Sequence, residues 1–230
     1  MSLNADGIFD NAYNGNIPLV KKAVEENNKV LLEKDTNQRL LIHWAALSGS
    51  LELVQYLLDK GSPVDPEDDT NTTPLIIAAS AGKIQIVQLL VSKGANINAR
   101  NDQGHSALQH SASKGWQDIV QFLLIKGADI NIPDKRGARP LHRAASKGNI
   151  PVCKVLLEHK EKCHLLINPQ DIYGNTPLHL ACEEGRLEII ILLMKHGAST
   201  EISNKEEKTP LQLCSPQVLT QVKNAQNSLL

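Results

Sequence analysis

Three histidines recur in one setting along this chain: His43 in Leu40-Leu-Ile-His43, His142 in Arg139-Pro-Leu-His142 and His179 in Thr176-Pro-Leu-His179. An imidazole at neutral pH can shuttle a proton or ligate a metal. Catalysis would need a partner at fixed spacing. The sequence offers no serine, cysteine or threonine in a nucleophile elbow, no glycine-rich phosphate loop and no His-Glu-x-x-His. His159, Cys163 and His164 sit close together, but three ligands in one short loop without a fourth make a poor zinc site. The four cysteines, at 153, 163, 182 and 214, show neither a disulfide framework nor a zinc spacing. They read as reduced thiols of a cytoplasmic and nuclear protein. Asp35, Asp68, Asn101, Asp134, Asp171 and Asn204 each stand six residues before a helix-start position. An Asx side chain there bonds its own backbone two residues on, so turn formation is the expected role. The expectation is a protein without catalytic residues, metal or cofactor.

The elements that position these residues are clearest in Asn175–Gly197. Thr176 can cap a helix, Pro177 suits its first position and Gly185 its left-handed end. A second helix carries Leu187, Ile189, Ile190, Leu193 and Met194 at helical spacing and closes at Gly197. Such a pair cannot bury its own apolar face. The chain supplies neighbours by repetition: Gly15, Gly49, Gly82, Gly115, Gly148 and Gly185 follow one another at steps of 34, 33, 33, 33 and 37 residues. That is the ankyrin period. The resemblance implies an all-α solenoid of seven helix-turn-helix repeats with β-hairpin-like fingers. It also implies that the histidines tie one turn to the next.

One domain is expected over 1–230, with repeats near 4–36, 37–69, 70–102, 103–135, 136–172, 173–205 and 206–230. The first and last would be caps. In the first, Ile17, Leu19, Val20, Ala23 and Val24 should face the core. The outer stripe Leu51, Leu53, Val54, Leu57 and Leu58 of the second should superpose on Ile84, Ile86, Val87, Leu90 and Val91. The fifth repeat carries four extra residues in His159–Asn168, placed in a loop by the fixed register of stacked helices. After Thr209-Pro210 the pattern fades at Cys214-Ser-Pro216, and Lys223–Ser228 reads as a fraying tail. A net charge of −1 gives no global field toward nucleic acid or anionic membrane. No apolar run is long enough to span a bilayer, and the N-terminus lacks signal-peptide character. A monomer is expected, with neither nucleic-acid nor membrane partners.

What varies from repeat to repeat is the finger tip and the end of the inner helix, and charge there is sorted. Early fingers are acidic: Asp35, Glu67, Asp68 and Asp69, with Arg39 among them. The middle is basic: Lys83, Lys114, Lys135, Arg136, Arg139, Arg143 and Lys147. The sixth repeat is acidic again at Glu183 and Glu184. Such a surface suits a partner of alternating charge, where charge sets register and on-rate. Trp44, on an inner helix, suits an anchoring role. Trp116 could equally cover its own outer helix.

Several blocks go beyond a generic ankyrin pattern: Asp35…Arg39…His43-Trp44-Ala45, Ala78-Ala-Ser-Ala-Gly82, Ala112-Ser-Lys114, His142-Arg-Ala-Ala-Ser-Lys-Gly-Asn149, Gly174–Cys182 and Asn204–Gln212. Together they resemble the gankyrin family, over essentially the whole chain. That resemblance implies a chaperone for assembly of the proteasome regulatory particle, binding the C-terminal domain of one base AAA+ ATPase subunit on its concave face. It implies that Arg39 and Lys114 pair with carboxylates, that Asp69 meets arginines, and that Trp44 and Lys83 lie in the contact zone. Asp68, Arg136, Arg143 and Lys147 join this protein-binding set through the charge pattern. Asn37 and Thr72 depart from the family, which commonly has an acid and a tryptophan there, and the insertion has no counterpart. Leu180-x-Cys182-x-Glu184 matches a retinoblastoma-binding pattern, but on an inner helix it reads as packing. The alternative is a regulatory ankyrin protein that binds a cyclin-dependent kinase or a transcription factor.

Overall fold

The computed structural model describes residues 5–227; the outer ends of the two expected cap repeats, 1–4 and 228–230, lie outside the described residues. Two compact units divide the chain, Met1–Ala107 and Leu108–Leu230. The first holds α1 (Ala5–Tyr13), α2 (Ile17–Glu26), a 3-10 helix (Asn28–Leu32), α3 (Leu41–Ser48), α4 (Leu51–Asp59), α5 (Pro74–Ser80) and α6 (Ile84–Ser92). The second holds α7 (Ala107–Lys114, its first residue at the boundary), α8 (Gln117–Ile125), α9 (Pro140–Lys147), α10 (Ile150–Glu158), α11 (Lys160–Cys163), α12 (Pro177–Glu183), α13 (Leu187–Lys195), a 3-10 helix (Pro210–Leu213) and α14 (Pro216–Asn227). The all-α class and the helix pairing match the expectation.

Side-chain size decides how the pairs stack. Inner helices bring small residues together, Ala45 and Ala46 on α3 beside Ala78 and Ala79 on α5, all fully buried. The same holds for Ala144 and Ala145 on α9 beside Ala181 and Cys182 on α12. Outer helices supply the bulk: Leu53, Val54, Leu57, Ile86, Val87 and Leu90 in the first unit, and Val152, Leu156, Ile189, Ile190 and Leu193 in the second. Burying each of these is worth about 1.5–3 kcal/mol. Two stripe positions depart from expectation. Leu19 and Leu51 are exposed; each lies in the first turn of an outer helix, ahead of the first buried residue, Val20 in α2 and Leu53 in α4. Leu53, Val54 and Leu57 keep the buried register.

The fingers are built from one repeated turn. In each, the Asx Oδ1 accepts from the backbone N–H groups two and four residues on, as at Asp35 (Asn37 and Arg39), Asp68 (Thr70 and Thr72) and Asn101 (Gln103 and His105). Asp134, Asp171 and Asn204 repeat it in the second unit. The turn-former reading of these six residues is thus met in the geometry. The hairpin-like character is met as well, without strands among the described residues: in each finger the Asx N–H donates to the carbonyl four residues on, as Asp35 to Arg39 O and Asp171 to Asn175 O. The only isolated β-bridge among the described residues joins Arg100 and Ser106. Spans this short leave no room for a ladder, and within each unit successive fingers share one backbone bond, such as Asp69 N–H to Asn37 O in the first and Lys205 N–H to Tyr173 O in the second.

The turn needs a left-handed residue three positions after the Asx. Gly104, Gly137 and Gly174 supply it, whereas Gln38, Asn71 and Glu207 adopt φ of 58°, 57° and 61° with a side chain attached. The left-handed region costs a non-glycine residue roughly 1 kcal/mol. Gln38→Gly is therefore expected to stabilise the chain by a few tenths to about 1 kcal/mol, net of glycine's added unfolded-state entropy. Urea denaturation of the two proteins reads this, and a lower midpoint for the variant would contradict it.

Three further features were not legible beforehand. The short 3-10 helix follows α2. The insertion folds as the extra turn α11, ending at His164 with φ 52°, and Asn131 clasps it by donating to His164 O and accepting from Leu166 N–H. The expected fraying tail is helical through Asn227, with Val222 buried.

Candidate protein-binding surface

In the first unit, the finger turn and the inner helices bring together Arg39, Trp44 and Asp68. The Arg39 Nε donates to Asp68 Oδ2 at 3.0 Å, and its guanidinium lies 5.2 Å from the Trp44 ring centroid. The indole N–H donates to Asp35 Oδ2 at 2.9 Å, and Tyr13 meets the indole edge-on, with centroids 5.8 Å apart. Arg39 and Trp44 are each held from two sides. The terminal nitrogens of Arg39 take no partner among the described residues, so a planar fork is left to receive a carboxylate.

Asp68 corrects the expectation. Its carboxylate is wholly enclosed, with Oδ1 taking Thr70 N–H, Thr70 Oγ1–H and Thr72 N–H. Burial alone would raise its pKa, but these bonds and Arg39 hold it below the usual carboxylate range. It has no face left for a partner; it positions Arg39. Asp69, one residue on, is exposed. Lys83 precedes α6 and lays its stem over Gly49, with Nζ 2.9 Å from where a Cβ would stand. A cation there suits the negative end of α3. Tyr13 was missed, although it lies two residues before Gly15, one of the variable positions.

In the second unit, Arg136, Arg143 and Lys147 line one groove of about 350 Å³ with His142, Asp171, Tyr173, Leu180 and Glu183. Lys114 ends α7 on the surface and is not among the lining residues. Arg143 is ion-paired with the buried Asp134. This repeats the bond from Trp44 to Asp35: in both fingers the residue nine on from the aspartate donates to its second oxygen. Arg139 donates to Asn131 O. Arg136 and Lys147 are exposed.

The histidines are structural ties. In each, Nδ1 accepts the N–H three residues back (Leu40, Arg139, Thr176), which places the proton on Nε2. Nε2–H then donates to the next finger, to Pro66 O, Asn175 O and Lys208 O at 3.0, 3.0 and 3.1 Å. Burial lowers the pKa of all three, only partly offset by these carbonyls. Glutamine does the same work at two equivalent positions: Gln212 Oε1 accepts Thr209 N–H, and Gln109 Nε2 donates to Ile132 O and Ala138 O.

Two thiols, Cys153 and Cys182, are sealed in the core as protonated groups. Burial pushes Cys153 up to about 12 and raises Cys182, which also hydrogen-bonds Cys214. Of the Leu180-x-Cys182-x-Glu184 pattern, Cys182 is fully buried and packs, Leu180 is half-buried and Glu184 is exposed. At the insertion, His159 Nδ1 is bonded to Val155 O, and no group of three or more metal-ligating side chains converges among the described residues.

Repeated helix pairs, small-residue stacking and preorganised aromatic and cationic groups on finger and inner helix define a protein-interaction scaffold. The chain belongs to the ankyrin-repeat family: models of ankyrin repeats match residues 8–101, 99–165 and 141–194. The ankyrin-repeat domain of Bcl-3 superposes with a TM-score of 0.80 at 24% identity, covering 94% of this chain and 97% of that one. The human ASB11 ankyrin-repeat domain does so at 0.82 and 24%, covering 94% and 96%. At that identity the likeness establishes the fold. The rat 26S proteasome non-ATPase regulatory subunit 10 is 44% identical over 63 residues, 27% of each chain. The human protein of that name is 43% identical over 63 residues, 27% of this chain and 28% of its own. The matched stretch thus spans about a quarter of the length of these relatives.

Proposed function

We propose that this chain is a non-catalytic assembly chaperone of the proteasome regulatory particle, acting in cytoplasm and nucleus and binding the C-terminal domain of one base AAA+ ATPase subunit. The observation that carries the reading is the Arg39–Trp44–Tyr13 cluster. Arginine, tryptophan and tyrosine are the residues that dominate interface energetics, and here Asp68 holds Arg39 and Asp35 holds Trp44 before any partner arrives. The stretch shared with the proteasome non-ATPase regulatory subunit 10 supports the same reading. Arg39 and Lys114 would pair with carboxylates of the ATPase domain and Asp69 with its arginines. The bound chaperone would hold the subunit in an assembly intermediate and keep it from the proteolytic core particle by bulk.

The test is an affinity capture from cell lysate with wild type and an Arg39→Glu, Lys114→Glu double variant, read by mass spectrometry. Wild type should enrich base ATPase subunits. The variant, still helical by circular dichroism, should lose about tenfold or more, since reversing charges that face a partner costs several kcal/mol. If a cyclin-dependent kinase or a transcription factor is enriched and no proteasome subunit is, the chaperone reading fails.

A further inference from the structure

The groove of the second unit is built differently from the Arg39 cluster, and two of its cations have no internal use. It runs from the finger tips, where Arg136 and Tyr173 stand in the same register of successive repeats, along α9 and α12 to Lys147 and Glu183. Its volume of about 350 Å³ lies at the small end of ligand pockets. The floor is part apolar, with Ala138 and Leu180 beside the buried ring of His142. Arg143 is already paired with Asp134, and Asp171 Oδ1 is taken by Tyr173 and Asn175 N–H. Neither the Arg136 guanidinium nor the Lys147 ammonium has a partner among the described residues. Tyr173 is 54% exposed, and Ile172 beside it is 45% exposed.

Two unpaired cations at opposite ends of a groove, an exposed phenol at its mouth and a partly apolar floor make one ligand chemistry complementary. We propose that this groove binds a short extended acidic peptide segment of a partner protein. One carboxylate would meet Arg136 at the finger and a second Lys147 at the end of α9, with an apolar side chain between them over Leu180. The α9 helix is eight residues long, roughly 12 Å at 1.5 Å per residue. An extended segment of about four residues covers that length. Glu183, next to Lys147, would repel a third acid, so the segment's acids are separated and not contiguous. The inference rests on the reading of this face as a binding surface, but it does not depend on which protein is bound.

The probe is a fluorescein-labelled peptide, Glu-Leu-Ala-Asp flanked by glycines, titrated with the full chain and followed by anisotropy. Its Gln-Leu-Ala-Asn counterpart is the control. Saturable binding of the acidic peptide is expected, weakening as salt is raised. It should fall about tenfold in Arg136→Glu and in Lys147→Glu, and several-fold in Tyr173→Ser. Arg39→Glu should leave it unchanged, which separates this groove from the cluster that carries the proposed function. The charge-reversal variants are at exposed positions, and a thermal melt confirms that they fold. Absence of saturable binding, equal binding of the neutral peptide, or indifference to both Arg136→Glu and Lys147→Glu would each overturn the proposal. Loss of binding in Arg39→Glu alone would also overturn it, by moving the site to the first unit.

Discussion

Replacing His142 with alanine is expected to destabilise the second unit by about 3–5 kcal/mol, whereas His142→Gln should cost less than about 1 kcal/mol. The alanine variant leaves the Arg139 N–H and the Asn175 carbonyl without the imidazole that joins them. Each such part-buried group costs up to about 1–3 kcal/mol when unpaired, and removal of the fully buried ring adds a cavity term. Glutamine escapes both losses because this chain already uses it in the same register: Gln212 makes the acceptor contact and Gln109 the donor contacts. Urea denaturation of full-length wild type, His142→Ala and His142→Gln measures the difference. Equal midpoints for the two variants would show that ring packing, and not the hydrogen-bond pair, is what the site supplies.

The same substitution carries a pH signature. An unfolded histidine takes up its proton near 6.5, and burial lowers the folded value at His43, His142 and His179. Below about 6.5 the unfolded state therefore binds more protons, so stability is complete above that pH and declines as pH falls toward the folded values. Each excluded proton contributes at most about 1.4 kcal/mol per pH unit. Melting temperature should drop between pH 7 and pH 5, and His142→Gln should make the drop shallower. An unchanged slope would remove His142 from the titrating set.

Gly174→Ala is the second large effect, expected at about 2–4 kcal/mol of lost stability. Gly174 has φ 77°, and a Cβ there would stand 2.9 Å from Lys205 N and 3.1 Å from Asn204 Cα. Both are backbone atoms of the next finger, one of them the donor to Tyr173 O, so relief requires the finger stack itself to move. Gly197→Ala isolates the conformational part. It has φ 92° but nothing within 4 Å of the added carbon, and should cost only about 1 kcal/mol. If the two variants melt together, the close approach carries no energy and the left-handed backbone accounts for everything.

What the sequence by itself determined is what short-range chemistry controls. A threonine or proline start, a left-handed glycine end and an Asx turn each close within a few residues. Repetition at the ankyrin period then implied stacked pairs and the tying role of His43, His142 and His179. The six Asx residues were legible as turn formers for the same reason. What tertiary structure alone decided is how the second half of each side chain is used. Asp68 and Asp69 are neighbours in sequence, yet one is sealed beneath Arg39 and the other is exposed. That outcome depends on a guanidinium 29 residues away. Tyr13 reaches Trp44 only because α1 and α3 stack. Arg136, Lys147 and Tyr173 share a groove only because the insertion is absorbed in α11, which restores the helix register after it. Contacts between repeats depend on side-chain reach across stacked helices, and no local rule of spacing encodes that reach.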